Sequence, residues 1–130
     1  LPLHDALPIL SVFFPEELTL HFEIKKVEEK KEYIRIRFEE LQELVPTAMT
    51  ESKEIVLDGF CNPLELQSFP LKGKPVYLYL YRRRWKYKGE KKHFSNTYEF
   101  NPDGVKATKE FANFLKAAFG QTPDQYNADC

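Results

Sequence analysis

Pro75-Val76-Tyr77-Leu78-Tyr79-Leu80-Tyr81-Arg82-Arg83-Arg84-Trp85-Lys86-Tyr87-Lys88 is the stretch on which the reading of the fold turns. Its first half alternates strictly, with Val76, Leu78 and Leu80 on one face and Tyr77, Tyr79 and Tyr81 on the other. A period of two is the signature of a strand with one face in a core. Beyond Leu80 the even-numbered face turns cationic through Arg82, Arg84, Lys86 and Lys88. A strand whose apolar face becomes charged halfway along is expected to leave the core and project as a ribbon. Gly89 supplies the turn, because glycine enters positive φ without strain. The return arm, Lys91 to Phe100, places Phe94, Tyr98 and Phe100 on one face. Asn101-Pro102-Asp103-Gly104 then reads as a turn.

Working outward, residues 22–39 alternate around a charged break at Glu28 to Glu32. Ile34, Ile36 and Phe38 point one way, and Tyr33, Arg35 and Arg37 the other. This predicts the second arm of a hairpin that begins near Phe22. Pro15-Glu16-Glu17 opens a short helix, with Pro at its first position and acids at its positive end. His21 is placed on the solvent side of that helix or packed at its end. Ile55-Val56-Leu57 is a short strand, and Asn62-Pro63 a turn. Residues 40–53 fit either a loop or one helical turn before Pro46. Near the C-terminus, Phe111, Phe114, Leu115, Ala118 and Phe119 form one helical stripe between an N-cap at Thr108 and Gly120. The expected fold is α+β: a short antiparallel β-sheet with a projecting β-hairpin, a short N-terminal helix, and a C-terminal amphipathic helix packed on the sheet.

The chain has 130 residues, enough for one domain with its own core. Residues 10–120 read as that domain and 121–130 as a loose polar tail. Residues 1–9, with Leu3-His4-Asp5-Ala6-Leu7-Pro8-Ile9, resemble a translated sequencing adapter and are read as non-native. No apolar run approaches the ~20 residues that span a bilayer. The two cysteines, Cys61 and Cys130, suggest no disulfide framework and point to a reducing, cytoplasmic setting.

The net charge of −1 hides an asymmetry. Residues 1–69 carry 7 basic and 14 acidic side chains, and residues 70–130 carry 12 basic and 6 acidic. Such a split between halves is a cue for an anionic partner. Arginine forks match phosphate oxygens, and aromatic rings can stack on bases. Arg82, Arg83, Arg84, Trp85, Lys86, Tyr87, Lys88, Lys91 and Lys92 are therefore the candidate DNA-binding residues, on a hairpin that fits the major groove by width. No catalytic residue, cofactor or metal site is expected. His4, His21 and His93 are isolated, and no Cys/His pair has ligand spacing. There is no glycine-rich phosphate loop and no nucleophile motif.

Phe13-Phe14-Pro15-Glu16-Glu17-Leu18, then Phe22-Glu23-Ile24, resembles the opening of the N-terminal region of ISAon-type bacterial insertion-sequence transposases. The same holds for Phe69-Pro70-Leu71-Lys72-Gly73-Lys74-Pro75-Val76-Tyr77-Leu78, which runs into Arg82-Arg83-Arg84-Trp85, and for Thr108-Lys109-Glu110-Phe111-Ala112-Asn113-Phe114-Leu115-Lys116. The similarity spans about residues 10–119. It implies a non-catalytic region that recognises insertion-sequence ends beside a separate catalytic polypeptide with an Asp-Asp-Glu centre, in the bacterial cytoplasm at the nucleoid. A weaker similarity links Phe69 to Arg84 with the zinc-ribbon segment of ISL-group transposases. The tip here, Trp85 to Lys91, has no cysteine, so aromatic packing and the Gly89 turn are expected to hold the hairpin in place of metal. The alternative function is a protein-interaction module, docking on the catalytic polypeptide or self-associating as a homodimer.

Overall fold

The computed structural model describes Phe14 and residues 16–98. Residues 1–9 and 121–130, the turn at 101–104 and the Phe111–Phe119 stripe lie outside the described residues. The described part is rich in sheet. Its one helix, α1 (Glu16–Thr19), is a single turn that delivers Leu18 to the core.

Strands β1 (Phe22–Glu29) and β2 (Ile34–Glu40) form the expected antiparallel hairpin. The Lys30 N–H donates to the Tyr33 carbonyl at 2.8 Å and closes its turn. A bulge between Ile24 and Lys26 interrupts the ladder of β1, which is an edge strand. Such an irregularity at an edge discourages pairing with another chain. Strand β3 (Ile55–Phe60) follows a loop, then β4 (Leu64–Leu71) and β5 (Lys74–Tyr81). The turn between β4 and β5 is Lys72-Gly73, both at positive φ (+54° and +73°). Two such residues give the type I′ geometry that matches strand twist.

The sheet order is β1-β2-β5-β4, and β2 runs parallel to β5. The antiparallel expectation is thus corrected to a mixed sheet. The even-numbered face of its central strands is core. Ile34, Ile36, Phe38, Leu78 and Leu80 are fully buried, with Val76, Leu64 and Leu66 beside them and Phe14, Leu18 and Phe22 packed over them. Phe14 meets Phe38 edge-on at 5.2 Å.

The projecting ribbon is also corrected. The long strand breaks at Arg82, and β6 (Arg83–Tyr87) pairs with β3 in a second, two-stranded sheet. Arg83, Trp85 and Tyr87 are buried. Trp85 and Tyr87 close a smaller core with Met49, Ile55 and Phe94. The backbone of Trp85 exchanges hydrogen bonds with that of Phe94 at 2.8 and 2.7 Å, across the turn at Gly89 (φ +82°). A hairpin tip therefore exists where it is expected, but it lies against its own small core. Cys61, just after β3, is buried and disulfide-bonded, which corrects the reading of this cysteine as reduced.

Candidate nucleic-acid interface

The cationic run begins at the end of the apolar alternation, and so does an acid. Glu40 continues the inward row of Ile34, Ile36 and Phe38, while Arg82 continues that of Val76, Leu78 and Leu80. Parallel pairing brings the two ends together. Glu40 is fully buried. Its carboxyl accepts the Arg83 N–H at 2.8 Å, the Asn96 amide at 3.0 Å and the Tyr98 hydroxyl. Arg83 Nε donates to the Glu40 carbonyl at 2.7 Å, its Nη2 lies 3.7 Å from Glu39, and its guanidinium covers the Phe60 ring. Arg82 Nη1 donates to the Asn96 carbonyl at 3.1 Å. Two of the three arginines thus brace the junction between the cores and do not face solvent. An arginine fork inside a protein needs acceptors, and here β2 and the Asn96 carbonyl provide them.

Arg84 lies on the outward row of β6 and is half-buried. Its Nε donates to the Asp58 carbonyl at 2.8 Å, and its Nη2 is 3.8 Å from the Asp58 carboxylate. Asp58 also binds the His93 ring. The His93 contact, with Lys86 and Arg84 nearby, holds the Asp58 carboxyl below the usual carboxylate range. Lys86 and Lys88 continue the outward row, and Lys88 faces Glu54 at 3.4 Å. Lys91 and Lys92 are exposed after the Gly89 turn. Trp85 and Tyr87, expected to stack on bases, instead fill the second core. The Tyr87 hydroxyl accepts the Glu51 N–H at 3.0 Å, and the Trp85 indole N–H is buried without a partner. The site residues thus divide into an internal set (Arg82, Arg83, Trp85, Tyr87) and a solvent-facing set (Arg84, Lys86, Lys88, Lys91, Lys92). Among the described residues no cluster of three or more His, Cys, Asp or Glu could hold a metal ion.

Glu40, Asp58, Asn96 and Tyr98 do not stand out in the sequence as site residues. Glu40 carries a signal in hindsight, as an acid on the core parity of an alternating strand. Burial and the Glu40 contact push the Tyr98 hydroxyl far above the ordinary tyrosine value. A raised folded pKa gives stability that is complete below the unfolded value of about 10 and fades as pH rises past it. Thermal melts should therefore fall as pH rises above about 10, and Tyr98→Phe should flatten that fall. An unchanged slope in the variant would refute this assignment.

No protein family, curated protein or solved structure matches the chain. Among the described residues no helix is long and apolar enough to cross a membrane.

Proposed function

We propose that the chain is the non-catalytic N-terminal region of an insertion-sequence transposase, which binds DNA through the solvent-facing cations of its small sheet. The observation that carries this reading is the row formed by Arg84 and Lys86 on the outward face of β6 and Lys88 just past its end, extended by Lys91 and Lys92 beyond the turn. The row is presented on a strand anchored by Trp85 and Tyr87, so little order must be created on binding. Arg82 and Arg83 position this strand and do not contact phosphate. The partners would be the insertion-sequence ends and the catalytic polypeptide, and the bacterial cytoplasm is the setting that the resemblance implies, although the Cys61 disulfide does not add to it. With a helix over the Phe111–Phe119 stripe, the complete domain would be α+β.

Five phosphate contacts give a slope of about −4.5 in log K against log salt. Affinity for duplex DNA should fall by a few hundred-fold between ~50 and ~200 mM salt. Replacing Lys86, Lys88, Lys91 and Lys92 with Ala should bring the slope to about −1. Fluorescence anisotropy on terminal-repeat and scrambled duplexes measures both quantities. A flat salt response, or binding that the four replacements leave intact, would defeat the proposal.

One observation favours the protein-interaction reading. Glu54, just before β3, and Asp58 on β3 interleave with Lys88 and Arg84, leaving a surface of alternating sign that suits a protein partner of complementary pattern. Co-elution with the catalytic polypeptide, without duplex binding, would select it.

A further inference from the structure

The face of the main sheet away from the core carries a pattern that the lysine row does not use. Tyr77, Tyr79 and Tyr81 stand on the central strand β5, all half-buried. Arg35 and Arg37 stand beside them on β2, in register with Tyr77 and Tyr79. Gln67 and Glu65 flank the same two tyrosines on β4. Tyr33 meets Tyr77 edge-on at 6.0 Å. The Arg37 guanidinium lies 3.7 Å from the Tyr81 ring centre, and that of Arg35 lies 5.9 Å from Tyr79. A cavity of about 260 Å³ opens between them, lined by Glu28, Arg35, Arg37, Tyr79 and Tyr81.

We propose that this face is a stacking platform for single-stranded nucleic acid, with one base seated in the cavity. Alternate residues of a strand are about 6.6 Å apart, so successive tyrosines are spaced to receive successive bases of an extended strand. A guanidinium already stacked on a phenol shows that the rings accept a flat, delocalised partner in face-on geometry. Arg35 is held by Glu28 through Nε at 3.3 Å and Nη2 at 3.1 Å, and Arg37 Nε is held by Glu39 at 2.8 Å. Each guanidinium has five N–H donors, so others remain for phosphate or base carbonyls. The Glu28 carboxylate at the cavity wall can accept from an exocyclic amine, which cytosine has and thymine lacks. Glu28, Glu39 and Glu65 offset Arg35 and Arg37 on this face, so ring contact and not net positive charge would supply the affinity.

This platform extends the nucleic-acid reading to a surface that shares no residue with the lysine row, and the two can be tested separately. The probes are 12-nucleotide oligodeoxycytidylate and oligodeoxythymidylate, added to the full chain and read by anisotropy. Both should bind with a shallow salt slope, the cytidylate more tightly. Tyr77→Leu and Tyr79→Leu should each weaken binding about tenfold or more, since a base–aromatic stack is worth that much. Tyr77→Phe and Tyr79→Phe should restore it, because the ring remains. Circular dichroism establishes that each variant is folded. The quadruple lysine variant should leave oligonucleotide binding nearly unchanged. No binding of either oligonucleotide, or binding indifferent to loss of the rings, overturns the platform and leaves the duplex reading standing.

Discussion

Glu40→Ala should cost the domain about 3–5 kcal/mol, the range seen when one partner of a buried charged network is removed. The side chain is wholly buried and three donors converge on it, from the Arg83 backbone, Asn96 and Tyr98. Each donor left unmet in a dry site costs about 1–3 kcal/mol, partly recovered if water enters. Small domains have only ~5–15 kcal/mol in total, so the variant should lie near its unfolding threshold. Glu40→Gln should lose less, because its remaining carbonyl oxygen still accepts. Urea denaturation followed by circular dichroism gives both values. A Glu40→Ala variant as stable as the parent would show that the junction between the two sheets is held by something else.

Trp85→Ala should cost a comparable ~3–5 kcal/mol, as large-to-small changes in a core do. The loss should be local in a way that the Glu40 loss is not. Trp85 belongs to the small cluster with Met49 and Tyr87, while β2 and β5 rest on the main core. Amide exchange should therefore accelerate at Trp85 and Phe94, which bond to each other, and much less at Ile36 and Leu78. Duplex affinity should fall with it, because the lysine row rides on the strand that loosens. In the parent, Trp85 fluorescence should resist iodide quenching and change little when DNA is added, since the ring is buried. Strong quenching by DNA would restore the stacking role that the fold denies this residue.

The central strands were legible because each keeps a strict period of two. Ile34-Ile36-Phe38 and Val76-Leu78-Leu80 mark the buried face in the sequence itself. Strand β4 was hidden because Ser68 and Pro70 dilute its alternation, and proline argues against a strand. The break at Arg82 was hidden for a different reason. Arg82 and Arg83 are consecutive and both buried, which a continuous strand with one core cannot allow. They mark the point where the chain swaps its inward parity from even in β5 to odd in β6. Nothing local requires that swap. It follows from Glu40 arriving from a strand distant in sequence, through a parallel pairing that no alternation pattern encodes. The candidate site was half legible for the same reason: the cations were found, but which of them face water depends on partners elsewhere in the chain.

The side-by-side placement of β2 and β5 has a kinetic side. Ile34 must find Val76 across the whole of β3 and β4, and such distant closures are slow compared with hairpin formation. The β1–β2 and β4–β5 hairpins can each zip from its own tight turn. Their docking, and with it the burial of Glu40, is then the step that should set the folding rate.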